Sequence, residues 1–136
     1  MKSIWLNLPV GNIQASKAFF KLIGFRENPM HAQADHMASF LIGENDFVLM
    51  LFPEYAFQHF TQTAISDTSK GSEVLINLDA QTRIEVDEMA DKVKKAGGKV
   101  FAEPSEVDGW MYAMGFTDLD GHRWAMLYME MDKMPK

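Results

Sequence analysis

The sequence predicts an α+β fold made of two tandem β-α-β-β-β modules, each a mixed sheet covered on one face by its helix, the two sheets cupping a shared cleft. Three observations carry this. The stretch IWLNLPVGNIQASKAFFKLIGFR is echoed later by EVLINLDAQTRIEVDEMADKVKKAGGKV, and a repeat of this kind marks duplicated supersecondary units. Each copy runs from a strand-period segment through a capped helix to a glycine-marked exit into further strands. A content of 47% hydrophobic residues in 136 is enough to bury one real core, so residues 1–136 are read as a single domain. Its modules span 1–52 and 72–130, joined by a linker with a short helix at 53–71.

The elements follow in order. Ile4 to Val10 alternates with the period of a strand, Trp5 and Asn7 on one face and Ile4, Leu6 and Leu8 on the other. Asn12 is an N-cap for a helix through Ile23, whose stripe is Ala15, Ala18, Phe19 and Leu22 and whose stop is Gly24. Phe25–Asn28, His36–Gly43 and Asp46–Phe52 complete the first module as strands, the last two joined at Gly43-Glu44-Asn45. The linker holds a short helix over Glu54–Phe60 and then the polar run Ser66-Asp67-Thr68-Ser69.

In the second module Glu73 to Asp79 is a strand with Glu73, Leu75 and Asn77 on one face. Thr82 and Glu85 form a capping box, Val86, Met89, Ala90 and Val93 give the helical stripe, and Gly97-Gly98 end it. Lys99–Ala102, Trp110–Thr117 and His122–Met129 are the remaining strands, the last two joined by Asp118-Leu119-Asp120-Gly121. A turn that pairs Thr117 with His122 sets Tyr112, Met114, Phe116, Arg123, Ala125 and Leu127 on one face, against Gly115, Trp124, Met126 and Tyr128.

A formal net charge of −6, with no basic run longer than Lys94-Lys95, argues against nucleic acid and anionic membranes as partners. The absence of cysteine removes disulfides, thiolate nucleophiles and sulfur-ligated zinc, and suits a reducing compartment. The apolar start IWLNLPV is broken by Asn7 and Pro9 with no small-residue cleavage site after it, and no window has the length of a transmembrane helix. A cytoplasmic protein is the expectation.

The run LPVGN before a helix ending in LIGF, and the hairpin DLDGH before the last strand, resemble the glyoxalase / bleomycin-resistance / extradiol-dioxygenase superfamily, also called vicinal oxygen chelate. The resemblance covers essentially the whole chain and extends to small bacterial proteins labelled lactoylglutathione lyases. It implies cupped sheets, commonly in a homodimer, around a site that in the superfamily's enzymes holds a divalent metal. The ligands there are usually His, Gln or Glu on the first and last strand of each module. Laid on this chain, those positions fall on Trp5, on Leu49 or Met50, on Glu73 and on Ala125. One carboxylate cannot hold a catalytic transition metal, which needs about three protein ligands. The expectation is therefore a cleft of family shape with no metal and no other cofactor.

Glu73 lies in an otherwise apolar strand, so partial burial, a raised pKa and a role as general base are expected, or pairing with a cationic ligand. A strand-end carboxylate that reaches solvent is the plainer alternative. Trp5, Trp110, Tyr112 and Phe116 read as an aromatic wall for a small molecule, with Asn7 and Asn77 as hydrogen-bonding groups, or else as ordinary core and dimer packing. His31, His36, His59 and His122 have no metal-ligand spacing, Asp118 and Asp120 are explained by a turn, and the methionines by gap-filling. Phosphate-loop, dinucleotide and nucleophile-elbow motifs are missing. The leading expectation is a small-molecule binder such as a protein that sequesters a toxic compound. A glyoxalase-I-like lyase or isomerase with Glu73 as base, and a ferredoxin-like regulatory or interaction module, are the alternatives.

Overall fold

The computed structural model describes residues 1–136, and the chain divides into two compact units, Met1–Asp67 and Thr68–Lys136. The first unit contains β1 (Leu6–Val10), α1 (Ile13–Leu22), β2 (Arg26–Glu27), β3 (Ala38–Ile42), β4 (Phe47–Pro53) and α2 (Glu54–Thr61). Its four-stranded sheet has the order β1-β4-β3-β2, with β1 parallel to β4 and the other pairs antiparallel. The second unit contains β5 (Ile76–Ala80), α3 (Arg83–Ala96), β6 (Lys99–Val107), β7 (Met111–Thr117) and β8 (Arg123–Met129). Its sheet repeats the pattern as β5-β8-β7-β6, with β5 parallel to β8. This is the predicted α+β fold of two β-α-β-β-β modules, and the two separate sheets exclude the ferredoxin-like alternative.

The helices begin and end where the sequence says. Asn12 Oδ1 accepts the Ala15 amide at 2.9 Å, and Thr82 Oγ1 accepts the Glu85 amide at 3.1 Å while Glu85 reaches back to the Gln81 amide. Gly97 takes φ +93° at the end of α3, a left-handed conformation that costs glycine nothing. Each helix buries one stripe. Val86, Met89, Ala90 and Val93 face the second sheet as expected, but α1 and its C-cap Ile23 bury Ser16, Phe19, Phe20 and Ile23 and leave Ala15, Ala18 and Leu22 exposed. The stripe is turned by one residue because two phenylalanines and an isoleucine remove far more apolar area from water than two alanines do.

Phe20 anchors the first core, stacked on Phe25 at 5.5 Å and edge-on to Phe19 at 5.1 Å, over Phe40, Leu49 and Leu51. In the second core the rings of Phe116 and Trp124 stack at 6.1 Å, both fully buried.

Three strand assignments change. β1 and β5 start at Leu6 and Ile76, so Ile4, Trp5 and Glu73–Leu75 precede their strands and are exposed. β6 runs on to Val107 past Pro104, which an edge strand tolerates because no partner needs its missing amide. The β7–β8 turn is one residue longer than the expected Asp118–Gly121 connection and pairs Thr117 with Arg123, not with His122. The buried Asp118 carboxylate sets this length: Oδ1 accepts the Asp120 and His122 amides and Oδ2 accepts the Trp124 indole, all at 3.0 Å. One residue of difference reverses the parity of β7 relative to β8, so that Tyr112, Met114 and Phe116 share a face with Trp124 and not with Arg123.

Candidate functional site

The face of each sheet turned away from α1 or α3 is where a site can be built. Partners in a parallel ladder share a face, so β1 and β4 place Asn7 beside Met50, and β5 and β8 place Asn77 beside Ala125. The repeat is thus kept to the residue. Asn7 precedes the Asn12 cap as Asn77 precedes the Thr82 cap, and each meets an apolar residue of the last strand of its module. By the same register the counterpart of Trp5 is Leu75, and Glu73 lies two residues earlier on the chain entering β5. Met50 occupies the open face while Leu49 is fully buried on the other. No three side chains among His, Cys, Asp and Glu come together anywhere in the chain.

Within the first module the open face is partly covered. Phe52 meets Phe60 of α2 edge-on at 5.0 Å, so α2 lies over one end of it. Asn7 Oδ1 is buried there with no hydrogen-bond partner, an acceptor left for a donor to satisfy.

A pocket of about 330 Å³ opens on the second module, lined by Ser72, Glu73, Val74, Leu75, Phe101 and Arg123. Its floor has a specific construction. Phe101 and Ala102 stand at a bulge in β6, where the register to β7 shifts, and a bulge of this kind re-aims a side chain. The Phe101 ring then lies on Gly115: a Cβ at that position would come within 2.4 Å of it. The backbone of Gly115 is not in the left-handed region, so the need for glycine there is one of space. Arg123, which shares the open face with Gly115 and Ala125 through the β7–β8 pairing, lays its guanidinium over Phe101 at 4.4 Å from the ring centroid.

The expected site residues separate. Glu73 lines this pocket, although exposed and not partly buried as its strand context implied, because β5 begins after it. Asn77 is on the same open face, farther along β5. Tyr112 and Phe116 face α3, a correction that follows from the longer turn: Tyr112 donates to Asp87 Oδ1 at 2.6 Å beneath Arg83, and Phe116 is core. The Asp87 hydrogen bond raises the Tyr112 pKa, with burial and the Asp87 charge adding to it, so the phenol stays a donor. Trp110 is half-buried ahead of β7, where its carbonyl accepts the Glu130 amide at 2.8 Å. Trp5 belongs to the first module, 57% exposed ahead of β1. Phe101, Arg123 and Gly115 escaped the sequence reading as a group. The signal for them was a glycine inside the apolar strand MYAMGFT, which points to a bulge or a close approach.

The model of the Glyoxalase/Bleomycin resistance protein/Dioxygenase superfamily matches residues 2–126. A hypothetical protein from S. aureus has a similar structure, with 35% sequence identity over 94% of each chain and a TM-score of 0.83. A glyoxalase-related enzyme from Fulvimarina pelagi is similar in fold at 17% identity, covering 94% of this chain and 88% of its own, with a TM-score of 0.79. The lactoylglutathione lyase from Agrobacterium tumefaciens is similar in fold at 16% identity over 98% of both chains, with a TM-score of 0.65. No curated protein matches the sequence. With both sheets in the β-α-β-β-β order and the family model matched along nearly its whole length, this chain belongs to the glyoxalase/bleomycin resistance protein/dioxygenase superfamily.

Proposed function

We propose that the protein binds a small organic molecule on the open face of its second module, without a tightly held transition metal. The observation that carries this is the pocket itself: Val74, Leu75 and Phe101 expose apolar area around one guanidinium, the balance typical of small-molecule sites. The residues at the positions where the superfamily's enzymes hold metal argue the same way. Trp5, Met50, Leu75 and Ala125 offer at most one thioether, which does not fit the nitrogen and oxygen ligands that a catalytic Zn²⁺, Ni²⁺ or Fe²⁺ requires. Elemental analysis of untagged protein purified without chelators tests the metal claim. About one such ion per subunit would overturn it.

A lyase or isomerase with Glu73 as general base is the second reading, favoured by one observation: Glu73 lies at the rim of the pocket and its carboxylate has no ion pair or hydrogen bond. Turnover of a glutathione hemithioacetal that disappears in Glu73→Gln would establish it. The reading includes a homodimer, since Ile4 and Trp5 are 80% and 57% exposed ahead of the edge strand β1. It also places the protein in the cytoplasm, on the absence of cysteine. No helix is long and apolar enough to cross a membrane.

A further inference from the structure

We infer that Arg123 is an anion-recognition group and that the pocket takes a monocarboxylate with a flat apolar body. This rests on the small-molecule reading above and narrows it to a ligand class.

The arginines of the chain differ in one respect. Arg26 pairs with Asp46 and Arg83 with Glu106 and Glu130. The Arg123 guanidinium has no carboxylate within 4 Å and no hydrogen bond, although the protein carries a net charge of −6. The group is nevertheless held in place, one face on Phe101, whose ring is seated on Gly115. Glycine inside a strand is less stable than alanine, and here the space it leaves is filled by the ring that supports the cation.

Stacking occupies the π face of a guanidinium and leaves the N–H donors at its edge free. A planar carboxylate meets that edge with two parallel hydrogen bonds. Half-burial of Arg123 thins its hydration, which strengthens such a pair relative to one on the open surface. Phe101, Val74 and Leu75 then supply apolar contact for the rest of the ligand. Ser72 does not compete for the anion as a donor, because its hydroxyl donates to the Val74 carbonyl at 2.7 Å. Glu73, at the exposed rim, repels added negative charge, and this favours a monocarboxylate over a phosphate monoester.

The test is an amide-resolved NMR titration of the full chain with 2-naphthoate and with its neutral counterpart 2-naphthamide. Naphthoate is expected to bind at least about tenfold more tightly, with shifts centred on the amides of Phe101, Gly115 and Arg123. In Arg123→Met the naphthoate affinity should fall to that of the amide, while the amide's own affinity changes by less than about twofold. Glu73→Gln should tighten naphthoate by up to about threefold, and 2-naphthyl phosphate should bind wild type more weakly than naphthoate. The same spectra report whether each variant is folded, and the two probes on wild type give the answer without any variant. Equal affinity for both probes at this pocket, or a naphthoate affinity indifferent to Arg123→Met, overturns the carboxylate claim and leaves the pocket standing. If neither probe shifts these amides, the small-molecule reading of this module fails and the inference with it.

Discussion

Replacing Asp118 by alanine should destabilise the second module by about 1.5–3.5 kcal/mol. The carboxylate is buried and accepts three hydrogen bonds, each of 3.0 Å, from the Asp120 amide, the His122 amide and the Trp124 indole. The two amides lie in a turn that water can reach in part. The Trp124 indole lies in a side chain with no exposure, and leaving such a donor unpaired costs about 1–3 kcal/mol. Loss of the turn clamp adds about 1 kcal/mol, and relief of carboxylate desolvation subtracts part of it. Asp118→Asn should cost less, about 1–2 kcal/mol, because an amide oxygen can still serve one side of the site while its NH2 faces a donor on the other. Urea unfolding followed by tryptophan fluorescence and near-ultraviolet dichroism reads both variants, and a loss of this size moves the midpoint by roughly 1–2 M. A change below about 0.5 kcal/mol in Asp118→Ala would refute the clamp and the parity built on it.

Burial raises the pKa of Asp118, against the opposing pull of His122, the Trp124 indole and the backbone amides. Its contribution to stability is therefore full below the unfolded-state value and falls as pH rises through the folded one; Asp118→Asn should remove that limb from a pH series of unfolding midpoints. Gly115→Ala should push the Phe101 ring off its seat at little cost in stability, since the ring is 41% exposed and can swing towards solvent, yet weaken 2-naphthoate by about tenfold. Phe20→Ala should cost about 3–5 kcal/mol by leaving a cavity among Phe19, Phe25 and Phe40, measured by thermal and urea unfolding. For the proposed homodimer, Trp5→Glu should lower the sedimentation coefficient towards the monomer value, and an unchanged value would remove Trp5 from the proposed interface.

The fold was legible because its determinants are local. Asn12, Thr82 with Glu85, and Gly97 declare the helix ends by their own hydrogen bonds and backbone freedom, and strand alternation declares the sheets. The site was less legible because it depends on parity. Parity turns on single residues: Asp118 adds one to a turn, and the β6 bulge adds one opposite Gly115. The first moves Tyr112 and Phe116 to the helix face and leaves Arg123 on the open one; the second brings Phe101 over Gly115. Neither is a matter of periodicity, so hydrophobic patterning alone cannot see them. Glu73 was found at the pocket for a different reason from the one the sequence offered, as a residue of the chain entering β5 and not as a strand position matching Trp5.

Native mass spectrometry of the untagged protein, purified without chelators and sprayed from volatile buffer, decides between a metal-free small-molecule site and a metal centre, because one spectrum reads organic ligand and metal together. Subunit masses should carry no transition metal, with a small organic carboxylate retained or taken up on addition of 2-naphthoate. A stoichiometric Ni, Zn, Fe or Mn adduct that survives desalting would contradict the metal-free site.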